Sequence, residues 1–258
     1  MQETIIQKFK RLNADIVRDI DPNASFLKRF RITLDFLWEK LIYKIELIDY
    51  IQYRFYYKKR AERDTFVTFG KLLEIMRVCN EESYRHVFDD KTVFNKVFKD
   101  YIGREHIALA KATDDEIAKF LARHDKIITK IPEEMFGHGL RIYESAELLN
   151  DKKLIQNLKA NNVLAEEILE QNQEFAEFNQ SSVNSVRVVT LLTANNEVKI
   201  MAAVLRVGRA GKMADNFHHQ GIAAQIDPDT GIVATMGMDH RWNRYVVHPD
   251  SKKPIVGF

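Results

Sequence analysis

This chain of 258 residues contains one cysteine, five prolines and no long apolar run. Because Cys79 has no second cysteine to pair with, no internal disulfide can form, and the sequence predicts a cytoplasmic protein. A membrane-spanning helix needs about 18 apolar residues without charge, and no such window occurs. The N-terminus lacks the apolar stretch of a signal peptide. The net charge of +2 argues against a dedicated nucleic-acid binder.

The charge is nevertheless uneven along the chain. Residues 1–60 hold 13 Lys and Arg against 8 Asp and Glu, and apolar residues recur in them at helical spacing. Within this region and just beyond it, residues 49–63 mix aromatic rings with five cations. Such a segment can lie on an acidic membrane surface, or it can be a helix with buried rings and a solvated basic face. The pattern alone leaves both interpretations open.

The composition changes near residue 125, from helical to mixed. We therefore predict an α+β protein with a helical N-terminal region, 1–124, and a second region, 125–258. Helices are predicted over 26–57, 114–124 and 147–161, with Thr113 as an N-cap and a further helix opened by Asp89 and Asp90. Strands are predicted over 126–130, 140–145, 163–169, 186–192 and 198–207.

The last two strands form the most informative stretch of the sequence. Each carries one arginine in apolar surroundings, Arg187 and Arg206, and Asn195 with Asn196 supplies the turn between them. A guanidinium keeps its charge, so two of them on strands favour a bound phosphate or carboxylate. A structural ion pair with Asp or Glu explains the pattern equally well.

Three weaker motifs accompany these strands. Lys130 is the last residue of a predicted strand and precedes a loop with spaced glycines at 137–139. This arrangement favours phosphate binding, and it is equally typical of a plain hairpin. The predicted strand 163–169 ends in acids, Glu166 and Glu167. This pattern is typical of an adenine-binding hinge, and it is also typical of a strand end with solvated acids. The loop from Asp215 to Gly221 offers polar donors, and its adjacent histidines point apart, which disfavours a metal site.

The order of these motifs resembles the ATP-grasp superfamily. The closer resemblance, over roughly residues 45–258, is to the sugar-transfer-associated ATP-grasp proteins and their teichuronic-acid-associated relatives. The ribosomal-protein glutamate ligase branch is also similar in the arginine strands and the loop after them. The resemblance rests on DYIQYRFYYKKRAERDTFVT, DDKTVFNKVFKDYIGRE, SVNSVRVVTL, LRVGRAGKMADNFHHQGIAAQIDPDTG and HPDSKKPIVGF.

The resemblance implies an ATP-grasp fold and roles for particular residues. Lys91 and Lys130 would contact the ATP phosphates. Arg187 and Arg206 would be the catalytic cations that hold the transferred phosphoryl group or the substrate carboxylate. The adenine would be held by Glu166, Glu167, Ile168 and Leu169, and the acceptor side would be lined by Asp215, Asn216 and His218.

The resemblance also implies an activity, in which ATP converts a carboxylate into an acylphosphate that an amine or other nucleophile attacks. The expected setting is bacterial surface-polysaccharide biosynthesis, with a small-molecule carboxylate or a sugar-linked acceptor and a glycosyltransferase as expected partners. A non-catalytic nucleotide-binding or scaffolding relative is the main alternative, and a peripheral membrane protein is a third.

The sequence departs from the family pattern in two places. The family continues past Gly257 and Phe258 to strands whose Asp and Glu-x-Asn hold magnesium, so the Mg²⁺ ligands are not found and no metal-binding residue is assigned. The sequence is then a fragment, takes its ligands from elsewhere or does not catalyse. In addition, Glu133 and Glu134 occupy the loop where the family is richer in glycine, and their charges would repel phosphate.

Overall fold

The computed structural model describes residues 4–134 and 139–258, with only the backbone described at Ile5, Ile6, Lys8 and His218. Contacts between Cα atoms divide the chain into two compact units, Met1–Glu82 and Ser83–Phe258. The predicted loop residues Gly137 and His138 lie outside the described residues. None of the described helices is long and apolar enough to cross a membrane.

The first unit is helical, as the apolar spacing predicts. Thr4 and Ser25 cap the first two helices, because their side-chain oxygens accept hydrogen bonds from the backbone N–H of Gln7 and Lys28. The helices are α1 (Ile5–Asp15), continued by a π-helical turn (Ile16–Ile20), α2 (Phe26–Tyr43), α3 (Leu47–Gln52), α4 (Arg60–Arg63) and α5 (Phe69–Cys79).

Aromatic rings form the core of this unit. Tyr50 and Phe55 are fully buried, and Phe36 and Tyr43 pack around them in edge-on contacts. Both buried rings come from the cation-rich segment 49–63. The interpretation of that segment as buried rings with a basic face is therefore the one that the structure supports.

The second unit combines helices with two antiparallel sheets. Its helices are α6 (Arg85–Asp89), α7 (Lys91–Val97), α8 (Lys99–Ile102), α9 (Asp114–Ala122), α10 (Ser145–Asn150), α11 (Lys152–Ala160) and α12 (Gln173–Ala176). Its strands are β1 (His106–Ala108), β2 (Lys126–Lys130), β3 (Arg141–Glu144), β4 (Leu164–Glu167), β5 (Ser185–Leu192), β6 (Val198–Val207), β7 (Ile222–Ile226), β8 (Gly237–Met238) and β9 (Arg244–Tyr245).

The helix ends in this unit follow local chemistry. The predicted cap at Thr113 is confirmed, because its hydroxyl accepts from Glu116 N at 3.3 Å and the Glu116 carboxylate accepts from Thr113 N at 2.8 Å. The helix predicted over 147–161 is split in two at Asp151. The Asp151 carboxylate accepts from Leu154 N at 2.9 Å and so caps α11.

The first sheet has the strand order β1-β4-β2-β3. One of its faces, with Ile127 and Ala165, packs on an apolar core that includes Ile117 and Leu148. The predicted boundary at residue 125 falls inside this unit, because β1 precedes residue 125 and pairs with β4 beyond it. The strand β1 lies where the sequence pattern predicts helices.

The second sheet has the order β5-β6-β7-β8-β9. The predicted strands over 186–192 and 198–207 are present, and the turn at Asn195 and Asn196 joins them. Its core face buries Leu205, Val207 and Ile222 against Phe178. The strand β7 is absent from the sequence-based prediction, because its alanines carry a weaker strand signal than β-branched residues.

Candidate functional site

Two lysines predicted to bind phosphates lie close together in the second unit. Lys91 begins α7, whose N-terminus is capped by Asp90 through a 2.7 Å hydrogen bond from Thr92 N. The Lys91 ammonium donates to the carbonyl oxygens of Ile131 at 3.4 Å and Pro132 at 2.9 Å, just beyond Lys130 at the end of β2. Burial and the neighbouring Lys130 cation both lower the pKa of Lys91. A ligand phosphate beside this pair would relieve that repulsion.

Lys130 is already paired with a carboxylate. Glu166 on β4 is 1% exposed and accepts from the Lys130 ammonium, from Arg104 Nε at 2.8 Å and from Asn95 Nδ2 at 3.4 Å. Burial raises the pKa of Glu166, but the hydrogen bonds and charges of Arg104 and Lys130 outweigh it, so the net pKa lies below the usual range. The predicted contact of Glu166 with adenine stays a prediction.

The rest of the predicted hinge consists of the last residue of β4 and the two residues after it. The Glu167 carboxylate accepts from Glu105 N at 2.7 Å, and this bond continues the pairing of β1 with β4. Ile168 and Leu169 come after the strand ends and are each 37% exposed. Two half-exposed apolar side chains beside a strand end suit contact with a flat ring, so the adenine role remains our proposal for them.

Arg206 and Arg187 share one face of the second sheet. Ser185 lies directly opposite Arg206 in the β5–β6 register, and Arg187 is two residues further along β5. Since side chains alternate along a strand, all three point to the same side, away from the core that Leu205 and Val207 fill. The two arginines therefore lie on the face of the sheet opposite its core, and their joint role in binding an anion stays a prediction.

The two arginines differ in their partners. Arg206 Nη2 donates to Asp215 Oδ1 at 2.8 Å, and Asp215 Oδ2 also accepts from the Ser185 hydroxyl. Arg187 is exposed, and within residues 4–134 and 139–258 it makes no ion pair. Arg206 thus forms the structural ion pair that the sequence left open, while Arg187 presents a free guanidinium beside it.

The loop predicted to line the acceptor side is held by hydrogen bonds between its own residues. The side chain of Asn216 accepts from His219 N at 3.0 Å and begins the 3-10 turn Phe217–His219. Gly221 N donates to Asn216 O at 2.9 Å, and a Cβ on Gly221 would lie 2.0 Å from the Asp215 carbonyl oxygen. The side chain of His218 lies outside the described residues, so its predicted role is untested.

Sequence reasoning missed several residues of these clusters. Arg104 is 62 positions from Glu166, and nothing in its local sequence marks it. Arg244 on β9 lies opposite Met238 on β8. Met238 lies opposite Ala223 on β7, and Ala223 lies opposite Arg206 on β6. Strand register therefore adds a third arginine to the face of Arg187 and Arg206.

A bidentate ion pair fixes the loop that carries Asp215. Arg209 donates to Asp250 at 2.8 and 2.9 Å, and Ala210 N donates to Asp250 Oδ2 at 2.9 Å. These bonds lower the pKa of Asp250 to about 2. The chain just after β6 is thereby tied to the C-terminal segment, where the buried His248 also donates from Nε2 to Gly208 O at 2.9 Å.

We expect Asp250→Asn to lower the free energy of unfolding at pH 7 by about 1–2 kcal/mol, after discounting for solvent screening. Because the folded pKa is depressed, the carboxylate stabilises the fold above its unfolded pKa near 4 and loses that effect as the pH falls towards about 2. Urea unfolding at several pH values tests this, with Asp229→Asn as an exposed control. An equal deficit at pH 7 and pH 2 would contradict it.

The described residues include no group of three or more His, Cys, Asp or Glu side chains that could hold a metal ion. The magnesium site that the resemblance implies is therefore not found among them. The cations form two groups: Lys91 and Lys130 lie at the end of β2 in the first sheet, and Arg187, Arg206 and Arg244 lie on one face of the second sheet.

Comparison with known proteins shows the family to which the chain belongs. The family model described as sugar-transfer associated ATP-grasp matches residues 73–258, which is all of the second unit and the end of the first. No curated protein matches the chain. The matched stretch contains both sheets, the two lysines, the predicted hinge and the arginine strands, and it covers well over half of the sequence. The chain belongs to the sugar-transfer associated ATP-grasp family.

Proposed function

We propose that this protein is an ATP-dependent ligase-like enzyme of bacterial surface-polysaccharide biosynthesis. The observation that carries the proposal is the family match over both sheets, together with the adjacent cations Lys91 and Lys130. In this proposal both lysines contact the phosphates of ATP. The hinge from Glu166 to Leu169 holds the adenine, and the loop of Asp215, Asn216 and His218 lines the acceptor side.

The proposed reaction has two steps. An oxygen of the substrate carboxylate attacks the γ-phosphorus of ATP, the bond to the bridging oxygen breaks, and ADP leaves. The resulting acylphosphate is then attacked at its carbonyl carbon by an amine or another nucleophile. The carbon–oxygen bond breaks, inorganic phosphate leaves, and the nucleophile loses a proton.

In these steps the cationic side chains of the chain would stabilise negative charge on the phosphoryl oxygens. Negative charge is redistributed over the phosphoryl oxygens during transfer, and fixed cations stabilise it at little reorganisation cost. In this proposal Arg187 supplies a guanidinium that is free of an ion pair among the described residues, and Arg206 supplies one that Asp215 holds in place. A carboxylate substrate would be bound by the same cations, through bidentate hydrogen bonds.

We expect Arg187→Gln to lower the rate of ATP-dependent ligation about 100-fold or more while leaving ATP binding nearly unchanged. The reason is that a transferred phosphoryl group or a substrate carboxylate, not the bound nucleotide, would depend on this guanidinium. Single-turnover measurement of ADP release with candidate carboxylates tests it. Lys199→Gln, on the neighbouring strand, is the matched control.

A non-catalytic role as a nucleotide-binding scaffold is the second candidate. It is favoured by the carboxylate partners of Lys130 and Arg206, which already neutralise two of the cations. Calorimetric titration with ATP, followed by a search for ADP formation, separates the two functions. Binding without turnover across carboxylate and amine substrates supports the scaffold, and absence of nucleotide binding contradicts both.

A further inference from the structure

Helix α2 has two apolar faces, and only one of them is used by its own unit. Ile32, Phe36 and Tyr43 are buried in the aromatic core of that unit. The opposite side exposes a second apolar stripe, in which each side chain is between 42% and 77% accessible. This stripe, which we call the α2 apolar face, consists of Leu27, Phe30, Leu34, Leu37 and Leu41.

The spacing of this stripe alternates between three and four residues, so its members form one continuous line along the helix. Trp38 flanks the line and is 57% exposed. Phe9 on α1 widens it into a groove of about 480 Å³ between α1 and α2. An apolar surface of this length on a soluble unit marks an interaction site.

The charges on α2 are separated between its two sides. Its two acids, Asp35 and Glu39, face the core and bind Arg63 at 3.0 and 2.7 Å. Two of its cations, Lys28 and Lys40, are paired with Asp21 and Glu46. No acid of α2 therefore borders the α2 apolar face.

Unpaired cations border this face instead. Lys10 and Arg29 line the groove, and Arg31 lies between Leu27 and Leu34 on the helix surface. In the described part of the chain none of these three makes an ion pair, and Arg29 Nε is shielded from solvent without a hydrogen-bond partner. The surroundings of the stripe thus call for an acidic partner.

The charges around the α2 apolar face indicate whether its partner is a second copy of the chain or a membrane. Two copies of the face packed together would bring cations against cations, with no acid of α2 on this side to offset them. An anionic bilayer offers both an apolar interior and acidic headgroups. We propose that the α2 apolar face binds the surface of an anionic lipid bilayer, with α2 lying in the plane of the interface.

In this orientation Leu and Phe side chains enter the boundary between headgroups and acyl chains, about 5–10 Å deep. Trp38 lies at headgroup level, where its indole keeps a polar partner. Lys10, Arg29 and Arg31 contact lipid phosphates. The inference is independent of the proposed function, because the face belongs to the first unit and not to the nucleotide-binding sheets.

The test uses the full chain carrying Trp242→Phe, which leaves Trp38 as the sole tryptophan. With vesicles of equimolar phosphatidylglycerol and phosphatidylcholine, Trp38 emission is expected to shift to shorter wavelength and to be quenched by brominated acyl chains. Vesicles of phosphatidylcholine alone should give a much smaller shift. Arg29→Gln and Arg31→Gln should each weaken binding about fivefold at low salt.

The paired variant Leu34→Glu, Leu41→Glu is expected to abolish vesicle binding while the far-UV circular dichroism stays unchanged, because both side chains are exposed. Leu192→Glu, Val198→Glu is the matched control, since this opposed pair on the β5–β6 hairpin is 63% and 67% exposed and adds the same charge. Equal vesicle binding by both double variants overturns the proposal. So does a lipid-free dimer, detected by light scattering, that only the α2 variant dissociates.

Discussion

Replacement of Lys130 by Met is expected to weaken ATP binding about 10- to 100-fold, the range of one to two charge-assisted hydrogen bonds. It should also lower the free energy of unfolding by about 3 kcal/mol, because it removes one cation from the buried Glu166. Arg104 Nε still donates to the Glu166 carboxylate at 2.8 Å, so we do not expect a larger loss of unfolding free energy. The two effects have different origins and can be separated.

The double variant Lys130→Met, Glu166→Gln separates them. The neutral amide at 166 no longer needs a cation, so we expect it to recover most of the stability that Lys130→Met loses. ATP binding is not expected to recover, since the ammonium that would contact phosphate is still missing. Recovery of both quantities together would mean that Lys130 serves Glu166 alone and does not bind nucleotide.

The pH dependence of the single variant gives a second check. In the wild type the pKa of Glu166 is depressed, so its ion pairs stabilise the fold above the usual carboxyl pKa, and this effect is lost as the pH falls through the folded pKa. Without Lys130 that pKa rises, and protonation relieves the buried charge. The deficit of Lys130→Met is therefore expected to shrink on acidification in urea unfolding curves.

Replacement of Arg63 by Met is expected to destabilise the first unit by about 3–5 kcal/mol, the largest stability effect that we anticipate. Arg63 bonds both oxygens of Asp35 at 3.0 Å, Glu39 at 2.7 Å and the carbonyl oxygen of Phe55 at 2.6 Å. Glu39 is only 4% exposed, so loss of the guanidinium leaves its charge without solvent or partner.

Thermal unfolding followed by Trp38 fluorescence, in a chain that carries Trp242→Phe, measures this effect. Arg60→Met, an exposed arginine on the same short helix, is the matched control and should change stability by less than about 0.5 kcal/mol. Adding Glu39→Gln to Arg63→Met should restore part of the loss, because the amide carries no charge. A loss below 1 kcal/mol for Arg63→Met would contradict the assigned role of this cluster.

Local patterns predicted many of the elements. Runs of β-branched and apolar residues placed β5 and β6, and the Thr113 cap placed the start of α9. The short strand β1 was missed, because three residues flanked by helical patterns carry little periodic signal. The alanine-rich strand β7 was missed because its strand character comes from pairing with β6.

The sequence marks the charged residues of the candidate site, but it does not show which of them pair with each other. Lys130, Glu166, Arg206 and Asp215 stand out in the sequence as charges beside strands, and the resemblance groups them as one ligand site. The structure pairs Lys130 with Glu166, and it pairs Arg206 with Asp215. Strand register and the loop after β6 bring these partners together. The spacing of the residues along the sequence predicts neither of them.

The amino-acid sequence by itself determined the family, the helical character of the first unit and most strands, because these depend on local periodicity and on motifs that stay contiguous. Only the tertiary structure decided which face of each sheet carries its charges, that Arg104 joins Glu166, and that α2 leaves an apolar face uncovered. Those outcomes depend on which residues become neighbours after folding, and burial and ion pairing are properties of neighbours in space.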